Sequence, residues 1–202
     1  MDQARLHWRE GLPVLRGRLV TLRELRSGDG PVLLPLLAAP EVCRFLSPPP
    51  ASPERFAGFI ANTARERAAG RYAAFAIVPN GQSSAVGLVQ LRQLEPGFRT
   101  AEWGVALGSA WWGRGLFQDA AELLLRFAFE DIGVHRLEAR VAAQNARGTA
   151  AIEKLGAVAE GLLRRSLLTP EGRQVDQVLF AWLDEDWRAS RRRRKEQLPW
   201  VH

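Results

Sequence analysis

The clearest pattern of hydrophobic and polar positions lies between residues 116 and 132, directly after a pair of glycines. Apolar residues recur there at intervals of three and four, and polar residues occupy the opposite face, as in an amphipathic helix. Gly133 is a typical helix end, so we predict one helix of about 17 residues. Its apolar face comprises Leu116, Ala120, Leu123, Leu124, Phe127 and Ala128, and its polar face comprises Gln118, Glu122, Arg126 and Glu130.

Short apolar or alternating runs elsewhere predict strands, because turn sequences such as Pro79-Asn80-Gly81 separate them. Three more helices are expected: one over Val32–Ala38, one beginning at Ser52-Pro53, and one from Asn145 to Leu155. The predicted strands are Leu15–Leu25, Tyr72–Val78, Ala85–Leu94, Thr100–Leu107, Arg136–Ala142, Ala157–Leu168 and Val175–Leu183.

The two glycines lie in the sequence Trp112-Gly113-Arg114-Gly115-Leu116, between a predicted strand and the long helix. Such a turn can direct several backbone N–H groups at one point, at the positive end of the helix dipole, where phosphate binds. The glycines could instead only shape a tight turn, and both interpretations stay open. The common nucleotide-binding glycine motifs are absent, so we expect a different phosphate-bearing cofactor.

The chain has 202 residues, of which 47% are hydrophobic and 25% are charged. This suffices for one well-buried core, so we predict a single domain over residues 1–187. No signal-peptide pattern and no run of about 18 apolar residues occurs, so we expect a cytoplasmic protein without a membrane span. Cys43 is the single cysteine and is expected to be a small buried residue. No Cys/His cluster has zinc-ligand spacing, so no metal site is predicted.

The net charge of +6 is concentrated at the C-terminus. Six cations and one glutamate leave residues 188–202 at +5, so the remaining residues carry only +1. We predict that residues 188–202 form a flexible basic tail. Such a tail is usually a solvated extension, but it could contact RNA or an acidic protein.

Four segments carry a resemblance to a known family. They are Leu19–Arg23; Ala101–Leu107 running into the glycine turn; Asn145 followed by Glu153-Lys154-Leu155-Gly156; and Glu160-Gly161 through Arg164 to Val175-Asp176. In this order, the chain resembles the GNAT superfamily of acetyl-CoA-dependent N-acetyltransferases, more closely the ribosomal-protein (RimJ/RimL-type) branch. The resemblance covers about residues 15–187. It implies an α/β (α+β) fold with a mixed, mostly antiparallel sheet of about seven strands, splayed at the acetyl-CoA cleft and flanked by about four helices.

The resemblance also implies how acetyl-CoA binds. The strand ending at Leu107 would separate from the parallel strand Arg136–Ala142, and the pantetheine arm would lie in the cleft between them. Asn145 would face the acetyl end, although capping of the next helix explains an asparagine there equally well. Lys154 is explained by the helix dipole alone. The backbone of Val105, Ala106 and Leu107 would bind the arm, and the N–H groups of Trp112, Gly113, Arg114, Gly115, Leu116 and Phe117 would bind the pyrophosphate.

The implied chemistry is direct attack of an amine on the thioester, without a covalent enzyme intermediate, so positioning and a backbone N–H would supply much of the rate. A base must take a proton from the ammonium. Glu102 is our candidate, because alternation places it with Gly104 and Ala106 on one face of the cleft strand. Glu102 could instead only pair with Arg140. Glu138 and Asp176 are the reserve candidates.

Two departures from the family pattern leave the general acid unassigned. Gly148 stands where the family often has serine, and Ala157 stands where it has an aromatic residue. Tyr72 is the single tyrosine and lies on an early strand, so Thr149 or water is left as the proton donor. A thiol with a pKa near ~8.5 leaves without a strong acid.

The acceptor is expected to be a protein N-terminal α-amine, whose pKa of ~7.7–8.0 leaves part of it neutral at pH 7. A small amine, such as an antibiotic or a polyamine, is the alternative. A non-catalytic module that binds CoA or RNA is the other alternative, and the oligomeric state stays open.

Overall fold

The computed structural model describes residues 7–46, 50 and 52–196, with the backbone alone for residues 192–196. Its centre is one open sheet of eight strands in the order β1-β2-β3-β4-β5-β6-β8-β7. Neighbouring strands are antiparallel except β5 and β6, which are parallel. The strands are β1 (Leu15–Arg16), β2 (Val20–Glu24), β3 (Tyr72–Pro79), β4 (Gly87–Gln93), β5 (Thr100–Leu107), β6 (Arg136–Ala142), β7 (Val158–Leu168) and β8 (Gln174–Leu183).

Helices cover the two faces of the sheet, and each face has its own apolar cluster. The helices are α1 (Gly30–Ala38), α2 (Pro40–Cys43), α3 (Pro53–Ala68), α4 (Leu116–Arg126), α5 (Ala146–Glu153) and α6 (Asp184–Glu196). The side chains of α1 and α3 pack against β3 and β4 on one face, through residues such as Phe56. The side chains of α4 pack on the opposite face, against a larger cluster that includes Phe75 and Leu137.

The fold class agrees with the sequence prediction, but the described residues contain eight strands and six helices rather than about seven and four. The two additional helices are α2 and α6. Cys43 ends α2 and is half-buried rather than buried. None of the helices described is long and apolar enough to cross a membrane.

The predicted strand Leu15–Leu25 is instead two strands, β1 and β2, joined by a turn at which Gly17 N–H donates to Val20 O. The Asp119 carboxylate of α4 accepts hydrogen bonds from the N–H groups of Arg18, Leu19 and Val20, at 3.2, 2.7 and 2.9 Å. A Cβ on Gly17 would lie 2.3 Å from Asp119 Oδ2, so only glycine allows this approach. A residue about 100 positions away therefore fixes the turn, which local alternation could not reveal.

The long helix extends over the predicted residues, but its last part is π-helical. Regular α-helix ends at Arg126, the π-helical segment Phe127–Ile132 follows, and Gly133 ends it with a left-handed φ of 84°. Phe129 in this segment stacks on Trp187, with the ring centroids 5.7 Å apart. The π-helical segment thus supports the C-terminal helix α6.

The basic C-terminal segment does not separate from the domain at Trp187 as predicted. Residues 188–196 continue α6, which begins at Asp184. Trp187 is buried, and Arg191 pairs with Glu130 at 3.5 Å. These contacts anchor the start of the helix, so the prediction of a flexible tail from residue 188 is corrected. Residues 197–202 lie outside the described residues.

Candidate active site

Strands β5 and β6 pair over only three positions and then separate. Thr100 to Glu102 lie opposite Arg136 to Glu138, and no pairing follows, although β5 continues to Leu107 and β6 to Ala142. A V-shaped opening, hereafter the cleft, therefore lies between the second halves of these strands. Its narrow end is the Glu102–Glu138 pair.

Unpaired backbone groups line both sides of the cleft. Gly108 N–H donates to Val86 O at 2.9 Å, so even-numbered residues of β5 face β4 and odd-numbered residues face the cleft. Val105 and Leu107 therefore direct their N–H groups into the cleft, whereas the backbone of Ala106 faces β4. On the other side, Ala143 N–H donates to Asp176 O at 2.9 Å, which turns the backbone of Arg140 toward the cleft.

The glycine turn leads from β5 into α4 as predicted. Gly113 and Gly115 have left-handed φ angles of 75° and 79°, a conformation that side chains disfavour. Gly115 is the N-cap of α4 and has no side chain to accept from Leu116, Phe117 or Gln118 N–H. These free N–H groups and the helix dipole suit an anion. A Cβ on Gly113 would have no neighbour within 4 Å, so this side of the loop is accessible.

Two arginines rest on the tryptophans that precede these glycines. The Arg114 guanidinium lies 5.3 Å from the Trp111 ring centroid, and that of Arg147, from α5, lies 4.5 Å from the Trp112 ring. Trp112 Nε1 donates to Leu107 O at 2.8 Å, which fixes its ring. Sequence analysis did not single out Arg147, because only the fold brings α5 to the loop.

Asn145 caps α5, which agrees with its structural interpretation. Its Oδ1 accepts from Gly148 N–H at 3.0 Å. A Cβ on Gly148 would lie 2.6 Å from Asn145 Nδ2 and 3.1 Å from Val141 Cγ1. The asparagine side chain therefore occupies the space that a serine at position 148 would need. Lys154 is the C-cap residue of α5.

Glu102 lies at the narrow end of the cleft, in a row of alternating charges. Its Oε2 accepts from Arg92 of β4 and from Arg140 of β6, the latter at 2.8 Å. Its Oε1 accepts no hydrogen bond from any described residue. The pairing with Arg140 foreseen from the sequence is therefore present, yet one carboxylate oxygen stays available.

The reserve candidates differ from Glu102 in this respect. Glu138 Oε1 accepts from Arg136 at 2.9 Å and Glu138 Oε2 from Arg140 at 3.5 Å, so both oxygens have partners. Asp176 accepts from Arg165 N–H at 2.7 Å, where it stabilises an irregular part of the β7–β8 pair. Among these three carboxylates, only Glu102 combines a position at the cleft with a free oxygen.

Tyr72 is poorly placed to protonate a leaving group. Its hydroxyl donates to Gln90 Oε1, and burial raises the pKa of Tyr72 above its ordinary value. Tyr72 also lies opposite Arg92 on β3, two strands away from Glu102. The general acid therefore stays unassigned, with Thr149 and water as the candidates.

One buried donor of β5 has no acceptor among the described residues: the indole N–H of Trp103. Trp103 is 3% exposed and directly follows the last parallel pair. Within the described ranges, no three His, Cys, Asp or Glu side chains form a group that could hold a metal ion.

Comparison with known proteins connects this geometry to a family. The family model described as "Acetyltransferase (GNAT) domain" matches residues 19–158. Two curated relatives are "Uncharacterized N-acetyltransferase p20" of Bacillus licheniformis, 26% identical over 83% of this chain and 94% of its own, and "Putative ribosomal N-acetyltransferase YdaF" of Bacillus subtilis, 29% identical over 52% of this chain and 56% of its own.

Two solved structures are similar over most of the chain. An acetyltransferase from T. thermophilus is 32% identical, with a TM-score of 0.74 over 92% of this chain and 96% of the other. Mycobacterium smegmatis RimJ, solved in complex with CoA-disulfide, shares the fold at 23% identity and a TM-score of 0.75, over 89% and 94% of the two chains. Together with the family match over most of the domain, these similarities show that the chain belongs to the GNAT acetyltransferase family.

Proposed function

We propose that this acetyltransferase moves an acetyl group from acetyl-CoA to a primary amine, most suitably the N-terminal α-amine of a protein. One observation carries the proposal: the cleft runs from the free Oε1 of Glu102 to the uncapped N-terminus of α4, with unpaired backbone groups between them. One end suits a reacting amine and the other suits phosphate.

Acetyl-CoA fits the three parts of this cleft. Its pyrophosphate would bind the N–H groups from Trp112 to Phe117, with Arg114 nearby to balance charge. Its pantetheine arm would add to the exposed edge of β5 through Val105 and Leu107 N–H, whereas Ala106 would contribute only its methyl group. Asn145 would lie beside the acetyl end. The CoA-disulfide complex of RimJ supports this assignment.

Glu102 would act as the base, directly or through one water. Its Oε2 is held by two arginines from neighbouring strands, which orient the carboxylate and leave Oε1 to receive a proton from the ammonium. The amine would then attack the thioester, whose carbonyl a backbone N–H of β5 would polarise. Thr149 or water would protonate the departing thiolate.

Two considerations favour an N-terminal α-amine. With a pKa of ~7.7–8.0 it is partly neutral at pH 7, whereas a lysine of pKa ~10.4 is neutral far less often, so a site without a strong acid suits the easier nucleophile. The name of the relative YdaF also points to ribosomal acceptors. A cytoplasmic location and contact of the basic helix α6 with RNA or an acidic protein stay predictions.

The experiment is a CoA-release assay with matched acceptors at neutral pH. The panel contains peptides with a free N-terminus, the same peptides with a blocked N-terminus and an internal lysine, and polyamine and aminoglycoside amines. Turnover of the free N-termini supports the proposal. Preference for the small amines would favour the alternative substrate class, and tight CoA binding without any turnover would favour a non-catalytic module.

A further inference from the structure

Trp103 carries a polar group that the fold does not satisfy. The residue is 3% exposed, and its Nε1–H has no acceptor among the described residues. Leaving a buried donor unpaired costs about 1–3 kcal/mol, so such groups are rare and call for an explanation. Trp182 is a matched case in the same cluster, because its Nε1 donates to Leu155 O at 3.1 Å.

The position of Trp103 connects it with the cleft. It is the first residue of β5 after the Glu102–Glu138 pair, where β5 and β6 begin to separate. Its ring lies between Phe117, in the first turn of α4, and Trp182 of β8, with centroid distances of 6.2 and 5.7 Å. Because Trp182 pairs with Leu137 of β6, the Trp103 ring reaches from β5 across to the far side of β6. It therefore lies along the α4 side of the narrow end of the cleft.

We infer that the Trp103 indole N–H donates a hydrogen bond to an amide carbonyl of the pantetheine arm of acetyl-CoA. This inference rests on the proposed function, in which the arm lies along β5. The arm is rich in amide groups, and its carbonyls are acceptors of the kind that a buried indole N–H needs. Trp103 would thus recognise the arm from the α4 side, while Val105 and Leu107 recognise it from the edge of the strand.

The test compares two ligands by calorimetry. CoA contains the arm, whereas adenosine 3′,5′-bisphosphate keeps nucleotide phosphates but lacks the arm. We expect Trp103→Phe to raise the Kd for CoA about fivefold to tenfold and to leave the Kd for the bisphosphate unchanged within about twofold. The control Trp182→Phe loses a comparable ring and a satisfied hydrogen bond, so it should lower thermal stability without changing the ratio of the two Kd values.

A second measurement uses the unmodified protein with ¹⁵N-labelled tryptophan. The Trp103 indole resonance, assigned through its contacts with the rings of Phe117 and Trp182, should move downfield with CoA and not with the bisphosphate. Equal effects of Trp103→Phe on both ligands, or an indole resonance that does not respond to CoA, would overturn the inference in favour of a purely structural tryptophan or a buried water. Failure of the wild-type protein to bind CoA would instead contradict the proposed function itself.

Discussion

Glu102 and Glu138 lie directly opposite each other as the last matched pair of the parallel strands β5 and β6. Two carboxylates so placed repel each other unless cations separate them. Arg140, two residues along β6, donates Nη1 to Glu102 at 2.8 Å and Nη2 to Glu138 at 3.5 Å. The guanidinium therefore holds the two acids together at the point where the cleft opens, and the arrangement leaves Glu102 Oε1 free.

Replacing the proposed base should slow the reaction. Glu102→Gln keeps the shape of the side chain but removes the basic carboxylate, so turnover should fall by about 10²-fold at neutral pH and recover partly at higher pH, where the amine loses its proton unaided. The matched control is Glu138→Gln, whose carboxylate already has two partners and should matter by only a few-fold. Steady-state kinetics from about pH 6 to about pH 9 measure both, and a larger loss in the Glu138 variant would exchange their roles.

The glycine loop offers a pair of positions that separate binding from backbone strain. Gly113 and Gly172 have φ angles of 75° and 76°, and a Cβ on either would have no neighbour within 4 Å. Alanine at each should destabilise the fold by about 1 kcal/mol, since both adopt the left-handed conformation. Only Gly113→Ala should raise the Kd for CoA severalfold, measured by calorimetry. An unchanged Kd in folded Gly113→Ala protein would remove the loop from the phosphate site.

Alanine at position 148 should have an unusual sign. Glycine-to-alanine changes within helices normally stabilise by up to about 1 kcal/mol, but here the Cβ would lie 2.6 Å from Asn145 Nδ2. We expect Gly148→Ala to destabilise the protein in urea unfolding, and to become stabilising in an Asn145→Ala background, where the obstruction is gone. Additive free energies in this double-mutant cycle would show that the two side chains do not compete for space.

The buried Arg23–Asp29 pair should make stability depend on acidic pH. Burial raises the pKa of Asp29, but hydrogen bonds from the Arg23 guanidinium and Arg26 N–H lower it overall, below its ordinary value of 3.8. The stabilisation is therefore complete above the ordinary pKa and is lost as pH falls through the lowered one. Asp29→Asn should cost about 2 kcal/mol at neutral pH and progressively less below about pH 4, measured by urea unfolding. A difference that is independent of pH would contradict the pairing.

The basic end of α6 should affect only acidic acceptors. Changing Arg192, Arg193, Arg194 and Lys195 to glutamine removes four charges beyond the anchoring residues Trp187 and Arg191. The Kd for CoA and turnover of a neutral peptide should stay unchanged. Turnover of a ribosomal acceptor should fall, and more so at low salt, where attraction between charges is least screened. Equal losses on both acceptors would make the segment a structural element.

Local sequence determined those features that depend on neighbours within one or two turns. The four-residue spacing from Leu116 specified the long helix, and the glycine pair specified the turn that begins it. Asn145 similarly marked the start of α5. These features arise from backbone sterics and from contacts between residues three or four apart, so no knowledge of the rest of the fold is required.

Tertiary structure alone decided the features that depend on distant residues. Asp119 divides the first strand through contacts 99 to 101 positions away, and strand register decides that Val105 rather than Ala106 faces the cleft. Glu102 acquires its two arginines from different strands, and Trp103 is left without an acceptor among the described residues only because of how its neighbours pack. Hydrogen bonding and burial between elements depend on where each chain segment lies in space, which periodicity along the chain does not encode.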